Sequence, residues 1–504
     1  MRILGMVLLG LLAWSARAEA ACSGSGQTWA CTAGTTLAQV ASAVNSASDG
    51  ATITFAAGSY SWSGSTANFA MNKGVTLICA SAGSCNVAVA GTVLGMNGTC
   101  SGVSTKVYRI SGFVFTGGNQ SAIWFNAFNA GPCTLHNIRI DHNTFTGQAQ
   151  GTRILAFGDN SNDSYFYGVI DHNTVTNSGS VLLAEFYSGS GATAPAGTRG
   201  TASNMFFEDN TIAITTMTNA GAGCIDSTGS PSIVWRYNST TNCLLTSHGV
   251  THGGGIVNFE IYGNAFVVNG GAQAAWQNCE RCFHHQGSGE TLFFDNRFTA
   301  INGKSSNAMA MTHYRSAPPA TAGYGANLGH CNGTSSGDGN RPGQLGYPCK
   351  RQPGRDVNGV LQPMYVWGNR WTDTGGMIVM AVENPWGTSN PSVFDHIVAN
   401  RDYYNAVSAS AQTSPTSPFN GTTGMGFGTL ANRPATCTTG SSADAGRGGV
   451  GYWATNEGRL YRCSATNTWS VHYTPFAYPH PLQSGSGQPL PPAPTAPTSL
   501  KILS

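Results

Sequence analysis

Charge is scarce in this chain. Only 9% of its 504 residues are charged, the formal net charge is +2, and there are five lysines in all. A nucleic-acid binder needs a basic face to neutralise phosphates, and this composition cannot build one. Disorder is excluded from the other side, because a chain with 41% hydrophobic residues is too apolar to stay unfolded. Long hydrophobic runs are also missing. The longest, Ile3 to Trp14, is about a dozen residues, too short to span a bilayer, and no later stretch does better. Arg2 before it and Ala18-Glu19-Ala20 after it read as a secretory signal peptide over residues 1–20. Helical periodicity is absent outside one short segment near the start.

Glycine, at 66 residues, and cysteine, at 14, are plentiful. The cysteines fall into sequence-local pairs: Cys22/Cys31, Cys79/Cys85, Cys100/Cys133, Cys224/Cys243, Cys279/Cys282, Cys331/Cys349 and Cys437/Cys463. Seven disulfides fit an exported protein. Cys279 and Cys282 precede His284 and His285, which offers a zinc reading, but the spacing differs from the usual zinc motifs and a disulfide is expected.

The phrase apolar–Asp–His–Asn–Thr–apolar occurs at 138–145 (IRIDHNTF) and again at 168–175 (GVIDHNTV). Related short runs recur, and they align on Asn143, Asn173, Asn210, Asn238, Asn264, Asn296 and Asn369 with gaps of 30, 37, 28, 26, 32 and 73. Repeats of that length, each with short strands, specify a solenoid. The Asn is expected at a tight corner, tolerating unusual dihedrals and bonding its equivalents in neighbouring coils. The His beside it is read as structural. A second apolar run follows each first one, at 154–159, 181–186, 223–227, 244–249, 282–287, 308–314 and 377–384. Two or more strands per repeat imply a parallel β-helix, with coils about 4.8 Å apart.

Residues 35–83 hold one helical stretch, Leu37 to Ser46, then Asp49-Gly50 and strands. This resembles the opening of pectate-lyase-like right-handed β-helix proteins, in which a helix covers the first coil. Residues 331–355, 400–405 and 449–482 further resemble secreted bacterial β-helix repeat proteins, a likeness that supplies no reaction. The chain is thus expected to be all-β. A β-helix domain covers 21–434, with an insertion at about 316–363. A small aromatic-rich disulfide hairpin, read as a cap on the last coil, covers 435–482, and a Pro/Ser-rich tail covers 483–504.

Each second run ends in a polar residue: Asp159, Glu185, Asp226, His248, His285, His313 and Glu383. In register these would form one column. β-Elimination needs a base and a cation that neutralises a uronate carboxylate. His248 or His285 is the expected base, with Arg281 or Arg315 as neutraliser and Asp226 beside them; Lys304 is in reserve. Hydrolysis would need two carboxyls, for which Asp226 and Glu260 are available. His252, His284, His313, Arg236, Glu260 and Trp453 are expected to contact substrate, and Arg341, Arg351 and Arg355 would attract an acidic glycan. His248-Gly249 matches part of the Gly-His-Gly motif of polygalacturonases, but Ser247 replaces its first Gly and their aspartate pair and Arg-Ile-Lys segment are absent. The resemblance makes calcium the cofactor to test, although the calcium-binding acid cluster of pectate lyases is not evident. The expected function is cleavage of an extracellular, acidic polysaccharide by a secreted monomer, with lyase chemistry preferred over hydrolysis. A non-catalytic adhesion or glycan-binding protein is the rival.

Overall fold

The computed structural model describes residues 21–484, except 64–66, 71, 92, 98–102, 127–132, 150, 159–163, 178–180, 187–197, 215–222, 228–230, 248–255, 270–281, 286, 288, 302–309, 313–351, 357–359, 383–396, 415–416 and 441–446. The chain winds as a parallel β-helix with three sheets. The first has 13 strands and the second and third have ten each. Apart from the opening hairpin, Cys22–Ser25 with Thr28–Cys31, neighbours in these sheets are parallel. One coil shows the plan: Ser164–Asp171 in the first sheet, Thr174–Asn177 in the second, Leu182–Phe186 in the third, then Met205–Glu208 back in the first. There are therefore three strands per turn. The run IRIDHNTF is two strands, Cys133–Asp141 and Thr144–Thr146, folded at His142-Asn143.

That corner explains the repeated Asn. The seven aligned residues, Asn143 to Asn369, are all 0–1% exposed. The side-chain amide of each donates to Oδ1 of the next: 3.1 Å from Asn143 to Asn173, then 3.0, 3.0, 3.1, 2.9 and 2.8 Å up to Asn369. Each Oδ1 also accepts the backbone N–H of the Asn below it, as at Asn173 to Asn210 (3.0 Å). The unusual dihedral falls one residue earlier than expected. His142, His172, Asp209, Tyr237 and Asp295 have φ between 52° and 59°, and Gly263 and Gly368 take the same place in their coils. The left-handed conformation is normally costly for residues with a Cβ; here every rung repeats it.

Inside, rings stack from coil to coil: Phe115 on Phe145 (5.2 Å), Phe125 on Phe157 (5.6 Å), Phe157 on Phe186 (4.8 Å) and Phe266 on Phe298 (4.8 Å). The N-terminal opening is covered by the helix Leu37–Ser46. Thr36 and Gln39 close its first turn as a reciprocal capping box, and Leu37, Val40, Ala43 and Val44 are its buried face. Covering this end hides a sheet edge that would otherwise template aggregation. Four disulfides among the described residues follow the expected pairing: Cys22–Cys31, Cys79–Cys85, Cys224–Cys243 and Cys437–Cys463. Cys282 is also disulfide-bonded, which removes it as a zinc ligand. No helix among the described residues is long and apolar enough to cross a membrane.

The C-terminal segment contains the expected disulfide-closed hairpin, Gly451–Ala454 with Arg459–Ala465, and extends beyond it. Met425–Gly428, Gly451–Ala454, Arg459–Ala465 and Thr468–Tyr473 form a fourth sheet that starts beside the last coil, through a bridge of Ala406 with Met425. The chain then runs back along the outer face of the first sheet as far as Arg139, whose Nη1 donates to the Leu482 carbonyl (2.9 Å). Val169, Phe206, Val234, Tyr262, Leu292, Phe294, Tyr365 and Trp367 on that face are buried with Tyr452, Trp453, Leu460 and Tyr473 from this strap.

Candidate active site

Of the expected polar column, Glu185, Asp226 and His285 fall on described strands of the third sheet, and its register sorts them into two rows; Asp159, His248, His313 and Glu383 lie outside the described residues. Ala184, Phe186, Ile225, Leu245 and Phe283 belong to the core. Side chains alternate across a strand, so Glu185, Asp226, Thr246 and His284 point outward. Glu185 pairs with Asp226, and Thr246 with His284. Ile225 pairs with Leu245, which carries the row from Asp226 to Thr246. The four residues stand on consecutive rungs and are 5–7% exposed. In the other direction Glu185 continues to Ala156 and half-buried Trp124, whose indole N–H donates to the Gly158 carbonyl (2.9 Å). Arg153, on the strand beside Glu185, forms an ion pair with it.

His285 departs from the expected column. It sits one residue past His284, points inward, is fully buried and shares a 2.8 Å hydrogen bond between Nδ1 and the Thr291 hydroxyl. Asp226 and His285 therefore belong to different rows, and His285 is a core histidine. His248, His252, Arg281, His313 and Arg315 lie outside the described residues, as do Lys304, Arg341 and Arg351.

Three expected substrate contacts are buried between the strap and the first sheet instead, Arg236 and Glu260 from the sheet and Trp453 from the strap. Arg236 is fully buried. It donates to Glu208 (2.5 Å), the Tyr262 hydroxyl (3.0 Å) and the carbonyls of Phe476 and Ala477 (2.8 Å each), and lies over the Phe206 ring. Glu260 is fully buried and accepts from the Tyr473 hydroxyl (2.6 Å) and the Gly200 N–H (2.8 Å); burial raises its pKa. Trp453 packs on Phe294 and Trp367, both at 5.2 Å, so its ring faces the protein's own aromatics. Arg355 is 2% exposed and donates to Asp402 (3.1 Å), which takes it away from any glycan.

The strap is held by further buried charge. His472 bonds Glu290 (2.6 Å), and Arg199 pairs with the same carboxylate. Burial and the Arg199 charge push the His472 pKa down to about 4, and burial pushes His480 to about 3, so both imidazoles are neutral near pH 7. Burial would raise Glu290, but Arg199 and His472 outweigh it and hold the carboxylate below its usual range.

Glu185 stood in the expected column but was given no role, and Trp124 was not singled out by the sequence reading. Counting residues from the inward Ile225, Leu245 and Phe283 would have found the row. No protein-family model matches the chain, and no curated protein matches it in sequence. The fold and the row itself must carry the functional argument.

Proposed function

We propose that this is a secreted, carbohydrate-active enzyme of the pectate-lyase-like type, which cleaves an extracellular polysaccharide lying along the outward row of the third sheet. The observation that carries the reading is the pairing of Glu185 with Asp226 on adjacent rungs. Adjacent parallel strands are about 4.8 Å apart. A retaining glycosidase needs its two carboxyls roughly 5–5.5 Å apart, so neighbouring rungs suit that chemistry. Arg153 forms an ion pair with Glu185 and would hold that carboxylate in place for attack. One of the two carboxyls would attack the anomeric carbon and the other would pass a proton to the leaving oxygen. His284, two rungs along, would hydrogen-bond the sugar, and Trp124, two rungs the other way, would stack on it. This moves the preference from elimination to hydrolysis, because the paired carboxyls suit hydrolysis and His285, one of the two expected elimination bases, faces the core; the other, His248, lies outside the described residues.

The rival reading, glycan binding without cleavage, has its own support. The outward face of the second sheet carries hydroxyl rows, Thr144, Thr174, Thr211 and Ser239 in one and Thr116, Thr146 and Thr176 in another. Purified protein should be screened on neutral and acidic polysaccharides, with calcium and with chelator, following new reducing ends and the ultraviolet absorbance of unsaturated uronides. Hydrolysis at this row predicts reducing ends without absorbance, reduced at least about a hundredfold in Glu185→Gln and in Asp226→Asn. Absorbance insensitive to both variants refutes it in favour of elimination. Binding without products favours the rival.

A further inference from the structure

The two DHNT corners are not used by the cleavage reading, and they place two imidazoles together at the surface. Asp141 and Asp171 are register partners, so His142 and His172 occupy the same place on successive rungs. Their rings stack at 5.0 Å, within 2° of parallel, and their side chains are 48% and 44% exposed. Nδ1 of His142 lies 2.9 Å from its neighbour Asp141, and Nδ1 of His172 lies 3.0 Å from Asp171. A carboxylate can only accept, so each Nδ1 carries a proton, and the tautomer that keeps this bond has its lone pair on Nε2.

We infer that His142 and His172 together bind a divalent transition-metal ion of the kind imidazole suits: copper(II), nickel(II) or zinc(II). A histidine that gives its other ring N–H to a carboxylate is the usual metal-binding arrangement, because the carboxylate fixes the tautomer and raises the basicity of the free nitrogen. Both rings have that support here. As stacked, the two rings hold equivalent nitrogens about 5 Å apart, so binding one ion at Nε2–metal distances of about 2.0–2.1 Å requires the half-exposed rings to tilt toward each other at their outer edges, and water completes the coordination. Asp209 follows in the same row, one rung on, and offers a carboxylate beside the ion. Its Oδ1 accepts from the Tyr478 hydroxyl (2.7 Å), which fixes its position. Atoms of Asp141, His142 and Asp171 also lie within 4.8 Å of one another. The two carboxylates there are already taken by Arg109 (2.6 and 2.7 Å) and Arg139 (3.0 and 3.1 Å), so the ion belongs at the exposed nitrogens.

The test is a copper(II) titration of the mature protein, read by electron paramagnetic resonance, and it uses no glycan. One ion per chain with coupling to two imidazole nitrogens is expected. His142→Asn and His172→Asn should each reduce this to one nitrogen or abolish binding. Asn tolerates the left-handed backbone, so both variants should fold, which their thermal unfolding verifies. Stoichiometric binding that survives in the double variant overturns the inference. So does a wild-type protein that binds no stoichiometric copper.

Discussion

Replacing Asn210 by Ala tests the corner ladder at its middle. The Asn210 side chain makes five hydrogen bonds. Its Oδ1 accepts from the Asn173 backbone N–H and side-chain amide (3.0 Å each), and its Nδ2 donates to the Ile170 carbonyl (2.8 Å), the Glu208 carbonyl (3.1 Å) and Asn238 Oδ1 (3.0 Å). The side-chain amide of Asn173 keeps other partners, the carbonyls of Ile140 and Asp171. Its backbone N–H loses this acceptor in a buried corner, at a cost of about 1–3 kcal/mol. The carbonyls of Ile170 and Glu208 lose a donor each, adding roughly 1 kcal/mol apiece. The expected destabilisation is therefore about 3–5 kcal/mol. Asn210→Asp keeps the acceptor and removes the donors while burying a charge, and should be at least as damaging. Guanidinium unfolding followed by circular dichroism measures both. A loss below about 1 kcal/mol for the Ala variant would refute the claim that the ladder, and not the surrounding packing, fixes the corner.

Two other predictions concern the strap. The His472 and His480 pKa values are depressed in the folded state, to about 4 and about 3. The unfolded chain, with histidines near 6.5, binds more protons between those values, so this stabilisation is complete above pH 6.5 and is lost as pH falls toward 4. Each group contributes a slope of about 1.4 kcal/mol per pH unit. Melting temperature should drop across that window, and His472→Gln should flatten the fall; an unchanged slope would show that His472 titrates normally. Trp453→Ala removes a ring packed between Phe294 and Trp367 and should destabilise by about 3–5 kcal/mol. Affinity for any bound glycan should be unaltered in that variant, and a selective loss of glycan binding without a loss of stability would restore Trp453 as a sugar platform.

The ladder was legible because a corner that repeats its hydrogen bonds must repeat its residue, and Asn143, Asn173 and Asn210 therefore mark register even though the gaps between them vary. The phase of the third sheet was not legible in the same way. In Leu182–Phe186 every residue is buried, so the strand has no polar alternation to show which side faces out. Taking the last ionisable residue of each run as the marker placed Asp226 with His285, although Asp226 is followed by one more strand residue, Ser227, and His285 ends its strand. The strap left no local signal at all, because Arg139 and Leu482 meet across 343 residues. Its trace was the set of charged residues, Glu208, Arg236, Glu260 and Glu290, inside otherwise apolar strands of the first sheet. A charge there requires a partner, and none was near in sequence.

The three faces of the solenoid are not equivalent, and the ladder is the reason. The turn between the first and second sheets is a two-residue corner, as at His142-Asn143, His172-Asn173 and Asp209-Asn210. An insertion there would break the hydrogen bonds between coils, so this corner cannot lengthen. The varying repeat length must fall on the connections that flank the third sheet. After Phe186 the next first-sheet strand begins at Met205, after Ser227 at Ser232, and after Thr312 at Met364. Variable connections on a rigid scaffold are where binding surfaces are built. The outer face of the first sheet is occupied by the strap, and the second sheet presents hydroxyls that have no acid–base chemistry near neutral pH. The third sheet joins two carboxylates on its outward face in register, Glu185 beside Asp226, with connections free to differ from coil to coil. On the proposed reading, the fixed Asn corner leaves the chemistry to the opposite side of the coil.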